Sequence, residues 1–384
     1  MLKKIKNLDL AAKRIKKAIL QKENIIIYGD VDPDGVTSVT IVKETIEALG
    51  GTVTGYYFPN RSEEGYGLNK TALKFLASYS PALIILVDLG IGNYEEIKLA
   101  NKKGFRVVII DHHKVLKMPP AEVIVDPCQP GETYAFKEFS AAGLCYKLSQ
   151  LLLKGNSQQA ERERSFSELA CLSTIADMMP IKKDNQGIVE EGMKNLPLTS
   201  RLGLQILMEK CYPNSTSLED VVHKMIGLLN ASRTRKDHLA ESFLLLTSVD
   251  EKEIEELIAQ FSARSIQHRL DRDQAVREIE EKIANKEASI IFEGSKTWSV
   301  PIAGSVASII ADRYHRPAFL YTQGPKISTG SVRVPKGVDS VKLMGKCSSL
   351  LISFGGHPQA SGFRLENKNL KKFEKCLKEH YEES

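Results

Sequence analysis

Three carboxylates, Asp30, Asp32 and Asp34, fall within five residues in the segment YGDVDPDG. Further along, Asp88 closes the apolar run ALIILV, and Asp111, His112 and His113 follow FRVVII. Crowded carboxylates repel one another and are compensated best by divalent cations. The three aspartates alternate with other residues, so an extended segment would present them on one side. Pro33 keeps Asp32 out of the helical region, and Gly35 then releases the backbone into a helix. Oxygen donors mixed with a few imidazoles suit Mn²⁺ better than Zn²⁺ or Ca²⁺. Two such ions sharing a carboxylate, about 3.5–4 Å apart, activate water for in-line displacement at phosphorus. One aspartate at a strand end ordinarily caps a helix or turns the chain. The combination at three strand ends points instead to a metal centre and to phosphoester hydrolysis.

Those acids need strands to position them. From residue 25 the sequence alternates β-rich runs with helical stretches: NIIIYGD, a helix over about 36–49, TVTGYYFP, a helix from about Asn69, ALIILVDLG, a helix from about Tyr94, FRVVIIDHH and AEVIVDP. Near-continuous apolar strands separated by helices indicate a parallel sheet covered on both faces, whose carboxyl edge is where ligands bind. After about Phe139 the patterns are helical, and DEKEIEELIAQFSARSIQHRLDRDQAVREIEEKIANK has the charge density of a long, mostly exposed helix. From about residue 287 a mixed pattern resumes with ASIIFEG, IAGSVASIIADRY, AFLYT, the turn-rich KISTGSVRVP and SFGGHPQASGFRL. The expected fold class is α/β: a doubly wound, mainly parallel sheet domain (1–195), a helical connector (196–286) and a smaller α/β domain (287–384).

The rest of the composition narrows the class without deciding it. No apolar run among the 384 residues is long enough to span a bilayer, and the basic first stretch MLKKIKNLDLAAKRIKKAIL lacks the apolar core of a leader. The expectation is a soluble cytoplasmic protein, with that stretch forming a first helix packed on the domain. A net charge of +5 permits an anionic partner without requiring one. The six cysteines show no CxxC spacing and read as reduced thiols.

At the residues singled out above, the chain resembles the DHH phosphoesterase superfamily, and within it the RecJ-type single-strand-specific exonucleases, over nearly its whole length. The motifs are YGDVDPDGVTS, LVDLGI, DHH at 111–113 and STIADMMPI with Asp177. The resemblance implies that Asp32 holds one metal, that Asp34, His112 and Asp177 hold a second, and that Asp88 bridges them, with Asp30 an extra ligand or support. His113 would face the scissile phosphate, and Asp111 would orient a histidine. Tyr28 departs from the histidine that many members carry there, and Leu89 from a polar residue.

GGHPQASGF and STGSVRVP resemble the DHH-associated domain, which implies substrate phosphates held by Gly355, Gly356, His357 and Arg333. GLLNASRTRKDHLAESFLLLT resembles the segment after the first domain in RecJ-type enzymes, though without the usual glycine before the arginine; Asn230 and Arg233 are its functional candidates. Long bacterial members append an oligonucleotide-binding barrel, whereas these residues are expected to form only two lobes and their connector.

The activity implied is that of a phosphodiesterase dependent on two Mn²⁺ ions, with Mg²⁺ as a substitute. It would trim single-stranded DNA or RNA from an end to mononucleotides in DNA repair or replication, with a helicase or replisome protein as a further partner and no membrane. The alternatives are a DHH phosphodiesterase for short oligonucleotides or cyclic dinucleotides, and a non-catalytic replication or repair scaffold.

Overall fold

The computed structural model describes residues 4–61, 63–115, 117–213, 215–284 and 288–382. It divides into two compact units, Met1–Ser262 and Ala263–Ser384. The elements of the first are α1 (Leu8–Leu20), β1 (Asn24–Gly29), α2 (Pro33–Ala48), β2 (Gly55–Tyr57), α3 (Lys70–Phe75), β3 (Ala82–Val87), α4 (Tyr94–Lys102), β4 (Phe105–Ile110), β5 (Val123–Val125), α5 (Ala141–Leu152), α6 (Gln159–Ala176), α7 (Asp184–Asn195), α8 (Leu202–Cys211), α9 (Leu218–Leu229) and α10 (Glu241–Thr247). The boundary falls within α11 (Glu251–Ile283). The second unit continues with β6 (Ile291–Ser295), α12 (Val300–Tyr314), β7 (Ala318–Gln323), β8 (Ile327–Arg333), α13 (Ser340–Lys346), β9 (Ser353–Gly356), β10 (Ala360–Glu366) and α14 (Leu370–Glu382).

The first sheet is parallel throughout, in the order β2-β1-β3-β4-β5. Successive side chains of a strand face opposite sides. Ile25, Ile27, Leu83, Ile85, Val108 and Ile110 therefore join one core with α1, α2, α5 and α6. Ile26, Tyr28, Ile84, Leu86, Val107 and Ile109 join the other with α3 and α4. This double burial explains why the strands read as unbroken apolar runs. The core on the α2 side also takes Leu204, Leu207, Val221, Leu229, Leu245 and Phe261, so the helices from α8 into α11 pack within this unit. In α1, Ala11, Ala12, Ile15 and Ala18 are buried, and no helix of the described residues is long and apolar enough to cross a membrane.

Register carries the fold into the chemistry. Gly29 lies beside Val87, Val87 beside Ile110, and Ile110 beside Val125, so four strands end in one row. The residue after each end is an aspartate: Asp30, Asp88, Asp111 and Asp126. β1 and β3 are adjacent in space while their connections run to opposite sides of the sheet, the switch point at which such sheets open a ligand crevice.

The second sheet is mixed, in the order β6-β7-β8-β10-β9, with β6 and β7 its parallel pair. KISTGSVRVP, read from sequence as turn-rich, contributes the central strand β8 instead. Its Gly330 lies under the Phe363 ring, and a Cβ there would fall 2.1 Å from Phe363 Cζ. The glycine thus serves close packing between strands, not a turn. Gly355 and Gly356 lie in β9, which a tight turn through His357 joins to β10: the His357 N–H donates to the Ala360 carbonyl at 2.9 Å and the reverse bond spans 3.2 Å. The reduced-thiol expectation fails for one pair. Cys347 after α13 and Cys376 in α14 are bonded, because these two helices bring their Cα atoms to 6.1 Å. Cys128, Cys145, Cys171 and Cys211 are free.

Candidate metal centre

The local structure of the GDVDPDG segment differs from the extended ribbon inferred from alternation. Asp30 leaves β1, Asp32 is the extended N-cap of α2 and accepts the Gly35 N–H at 3.0 Å, and Pro33 opens the helix. Proline is favoured at a first helical position because its fixed φ suits the helix and its missing N–H is not needed there. Asp34 is consequently carried round in the first turn, away from a common side with Asp30 and Asp32.

Asp34 is held by donors from two other helices. The N–H groups of Ala141 and Ala142, at the start of α5, donate to its two oxygens at 2.8 Å each, and Ser173 Oγ of α6 donates at 2.5 Å. A helix N-terminus, where backbone donors lack internal partners, here grips a side-chain carboxylate. Gly35 is needed for close approach rather than for a turn, since a Cβ would lie 2.3 Å from the Asp30 carbonyl oxygen and 2.6 Å from its nitrogen. Gly35→Ala therefore displaces Asp30. The expected cost is about 3 kcal/mol of stability, with a roughly hundredfold loss of metal-dependent turnover, checked by thermal melting and single-turnover rates.

Three overlapping ligand sets result: Asp30, Asp32 and Asp88; Asp88, His112 and His113; and Asp34, His112 and Asp177. Within each set the candidate ligand atoms lie within 4.8 Å of one another. His112 Nε2 is 3.3 Å from Asp88, 3.6 Å from Asp34 and 3.6 Å from Asp177. Asp88 stands where the sets meet, 3 % exposed, in the left-handed region at φ 61°. Burial and then the charges of Asp34, Asp32, Asp30 and Asp111 push its carboxyl well above the ordinary range. Asp177, at the end of α6, is pushed up to about 6 by burial and by Asp34, and its Oδ2 lacks a hydrogen-bond partner. Burial in a field of like charge, orphaned oxygen and a mixed oxygen–imidazole donor set fit divalent cations.

Asp111 faces inward. Its Oδ1 accepts the N–H groups of His112 and His113 at 2.8 and 3.2 Å and lies 2.8 Å from His113 Nδ1, while Oδ2 accepts the Ile91 N–H at 3.0 Å. Burial alone would lower the His113 pKa, but the Asp111 contact outweighs it and raises it to about 9. The pair therefore holds a proton on His113 at the open side of the site.

Sequence reasoning missed several participants. Arg61, in the loop after β2, places Nε 2.6 Å from Asp30 Oδ1 and Nη2 2.5 and 2.7 Å from Asp30 and Asp32. Tyr66 donates to the Asp88 carbonyl at 2.9 Å and lies 3.4 Å from His113 Nδ1. Asp126, the fourth acid of the row, is buried and pushed up to about 7 by that burial, with Oδ2 unpartnered. The only sequence signal among these was Asp126, which ends AEVIVD as Asp88 ends its own run.

Asn230 and Arg233 are exposed in the first unit, after α9; the Arg233 N–H is held by Glu241 at 2.9 Å. Their turn leans on the chain leading to Arg61: Thr234 Oγ1 donates to the Pro59 carbonyl at 3.0 Å, and the His238 ring stacks on Tyr57 at 4.2 Å. Arg333 ends β8 with its Nη1 on the Val332 carbonyl, and among the described residues no carboxylate pairs with it. Gly355, Gly356 and His357 are exposed in the same unit.

A family model described as the DHH family, N-terminal domain, matches residues 24–176, and one for the DHHA1 domain matches 282–383. Those segments are thus a DHH domain and, after it, a DHHA1 domain. The single-stranded-DNA-specific exonuclease RecJ of Bacillus subtilis is 35% identical over an alignment of 371 residues that covers 94% of this chain and 46% of that protein. This chain thus spans about half the length of that DHH relative. A crystal structure of exonuclease RecJ bound to manganese superposes with a TM-score of 0.83 at 27% identity, covering 99% of this chain and 95% of that one. RecJ of Thermus thermophilus in complex with Mn²⁺ gives 0.85 at 25% identity, covering 100% and 56%. The DHH fold, with its parallel sheet and second mixed sheet, is shared with both.

Proposed function

We propose that this chain is a Mn²⁺-dependent phosphodiesterase that removes mononucleotides from an end of single-stranded DNA, acting in the cytoplasm in repair or replication. The observation that carries the reading is the position of Asp88 at the meeting of the carboxylate–imidazole sets on the sheet's switch point. The manganese complexes of the RecJ relatives support the metal, and Mg²⁺ is the expected substitute.

Asp30, Asp32 and Asp88 would hold one ion, and Asp34, His112 and Asp177 the other, with Asp88 between them. When bound, such a pair lowers the pKa of water and offsets the charge that develops on a phosphoryl group. The chain's own residues do the rest. Asp34 is fixed by the start of α5 and by Ser173, so the second set keeps its geometry. Asp111 keeps a proton on His113, whose ring can donate to a phosphate oxygen. In the first unit, exposed Arg233 would grip a backbone phosphate without reading a base; in the second, taken by itself, Arg333, His357 and the bare backbone of Gly355 and Gly356 are the candidates for binding phosphate.

Digestion of strands labelled at either end, in DNA and RNA and from two to several tens of nucleotides long, tests this with Mn²⁺ and with EDTA. The expected result is mononucleotide release from long single-stranded DNA that EDTA abolishes. Cleavage confined to dinucleotides would move the assignment to a short-substrate enzyme. No metal-dependent cleavage would favour a scaffold.

A further inference from the structure

The oxygens of Asp30 and Asp32 already have a cation. Asp30 Oδ1 accepts the Val31 N–H at 2.7 Å and Arg61 Nε at 2.6 Å, Asp30 Oδ2 meets Arg61 Nη2 at 2.5 Å, and Asp32 Oδ2 meets the same Nη2 at 2.7 Å. Three of the four oxygens in this pair therefore face one guanidinium. Asp30 is fully buried, whereas the Arg61 side chain is 43% exposed, so the cation reaches in from the solvent side. A divalent ion shared with Asp88 would need the same lone pairs and would be repelled by the guanidinium's charge.

The loop is built so that this arm can leave without dismantling its base. On the C-terminal side of Arg61, Glu64 accepts from Tyr57 Oη at 2.7 Å and from Asn69 Nδ2 at 3.0 Å, and it takes the Asn60 N–H at 3.0 Å. Gly67, at φ 86°, packs where a Cβ would fall 2.4 Å from Asn93 Oδ1. Tyr66 is tied to the Asp88 carbonyl. With the backbone pinned on both sides, the movement required is a swing of the Arg61 side chain.

We infer that Arg61 is an internal counter-cation that competes with the metal for the Asp30–Asp32–Asp88 set. It keeps those carboxylates together when the ion is absent and weakens the ion's affinity there, while leaving the Asp34–His112–Asp177 set untouched. This rests on reading the cluster as a metal centre. It makes the first set the exchangeable one, loaded only as the guanidinium turns outward.

Isothermal titration with Mn²⁺ at pH 8, with electron paramagnetic resonance to count bound ions, tests it on the full chain. The wild type should bind two classes of ion. In Arg61→Met one class should tighten about tenfold while the metal-free protein melts at a lower temperature; Asp177→Asn, which weakens the other class, identifies which is which. Arg61→Lys keeps the charge but loses the planar fork and should fall between the two, and it serves as the working variant if the methionine form does not fold. Unchanged or weaker binding in both Arg61 variants overturns the inference and leaves the metal-centre reading standing. No Mn²⁺ binding by the wild type overturns both.

Discussion

Asp88→Asn is expected to raise the melting temperature of the metal-free protein by roughly 2–6 °C, through the relief of about 1–2 kcal/mol of repulsion, while reducing Mn²⁺-dependent hydrolysis by at least about a thousandfold. The two effects have one origin. Asp88 is buried beneath the charges of Asp34, Asp32, Asp30 and Asp111, so without a cation its ionised form costs free energy. An amide of nearly the same shape removes that cost. Asparagine also adopts the left-handed backbone at φ 61° more readily than most residues, so the turn after β3 keeps its conformation. Adding Mn²⁺ should reverse the order of stability, since the wild type gains the binding energy of ions that the variant holds poorly. Melting curves with EDTA and with Mn²⁺, together with end-labelled digestion, check all of this. A structural role for Asp88 predicts destabilisation in both conditions, and a variant that still hydrolyses would remove Asp88 from the metal centre.

The same residues show what a sequence can and cannot reveal about such a site. Asp30, Asp88 and Asp111 are legible because each ends an apolar run, and a parallel sheet aligns those ends whatever their separation along the chain. Asp177 sits at the end of a helix, where an aspartate has no distinctive periodicity, and only the family resemblance drew attention to it. Arg61 lies in a polar loop, and its partners Asp30 and Asp32 are some thirty residues away; nothing local marks it. Gly35 was legible as special, but for another reason: the tight approach of the Asp30 backbone is a tertiary fact. The extended placement of Asp34 failed because the Asp-Pro pair that suggested it is also a helix start, and α2 begins at Pro33. In the second unit, small polar residues in STGSVR suggested turns, whereas the Phe363 ring across the sheet demands the small residue in a strand. Whether the helices after α7 join the first core was likewise invisible, because amphipathic spacing gives a face to be buried and not its destination.

That packing supplies the second large effect. Glu44 of α2 is buried, and its carboxylate meets Arg201 Nη1 and Nη2 at 2.7 and 2.8 Å and Arg162 Nη1 at 2.8 Å. Arg201 precedes α8, and only 7% of its side chain is exposed. Glu44→Gln should cost about 3–5 kcal/mol because it leaves a buried guanidinium without its counter-charge. The unit that holds the metal centre should then melt roughly 10 °C lower. The pH dependence follows from the folded-state ionisation. Burial pushes the Glu44 carboxyl up, but Arg201, Arg162 and Lys43 outweigh it and hold it below its ordinary 4.5. Its contribution is therefore present above that value and is lost as the pH falls through the lower, folded one. Nearby Glu168, which accepts from Thr199 Oγ1, behaves oppositely: burial raises it to about 7, so its contribution is present in acid and fades as the pH rises through that value. The gap between wild type and Glu44→Gln should be wide at pH 7 and close progressively as the pH falls below the ordinary 4.5, measurable by urea melts across that range. Glu44→Met with Arg201→Met should recover much of the loss, because an apolar pair needs no desolvated charge. If Glu44→Gln itself costs less than about 1 kcal/mol, the ion pair is not what joins α8 to the sheet domain, and the apolar contacts of Leu204 and Leu207 must carry it instead.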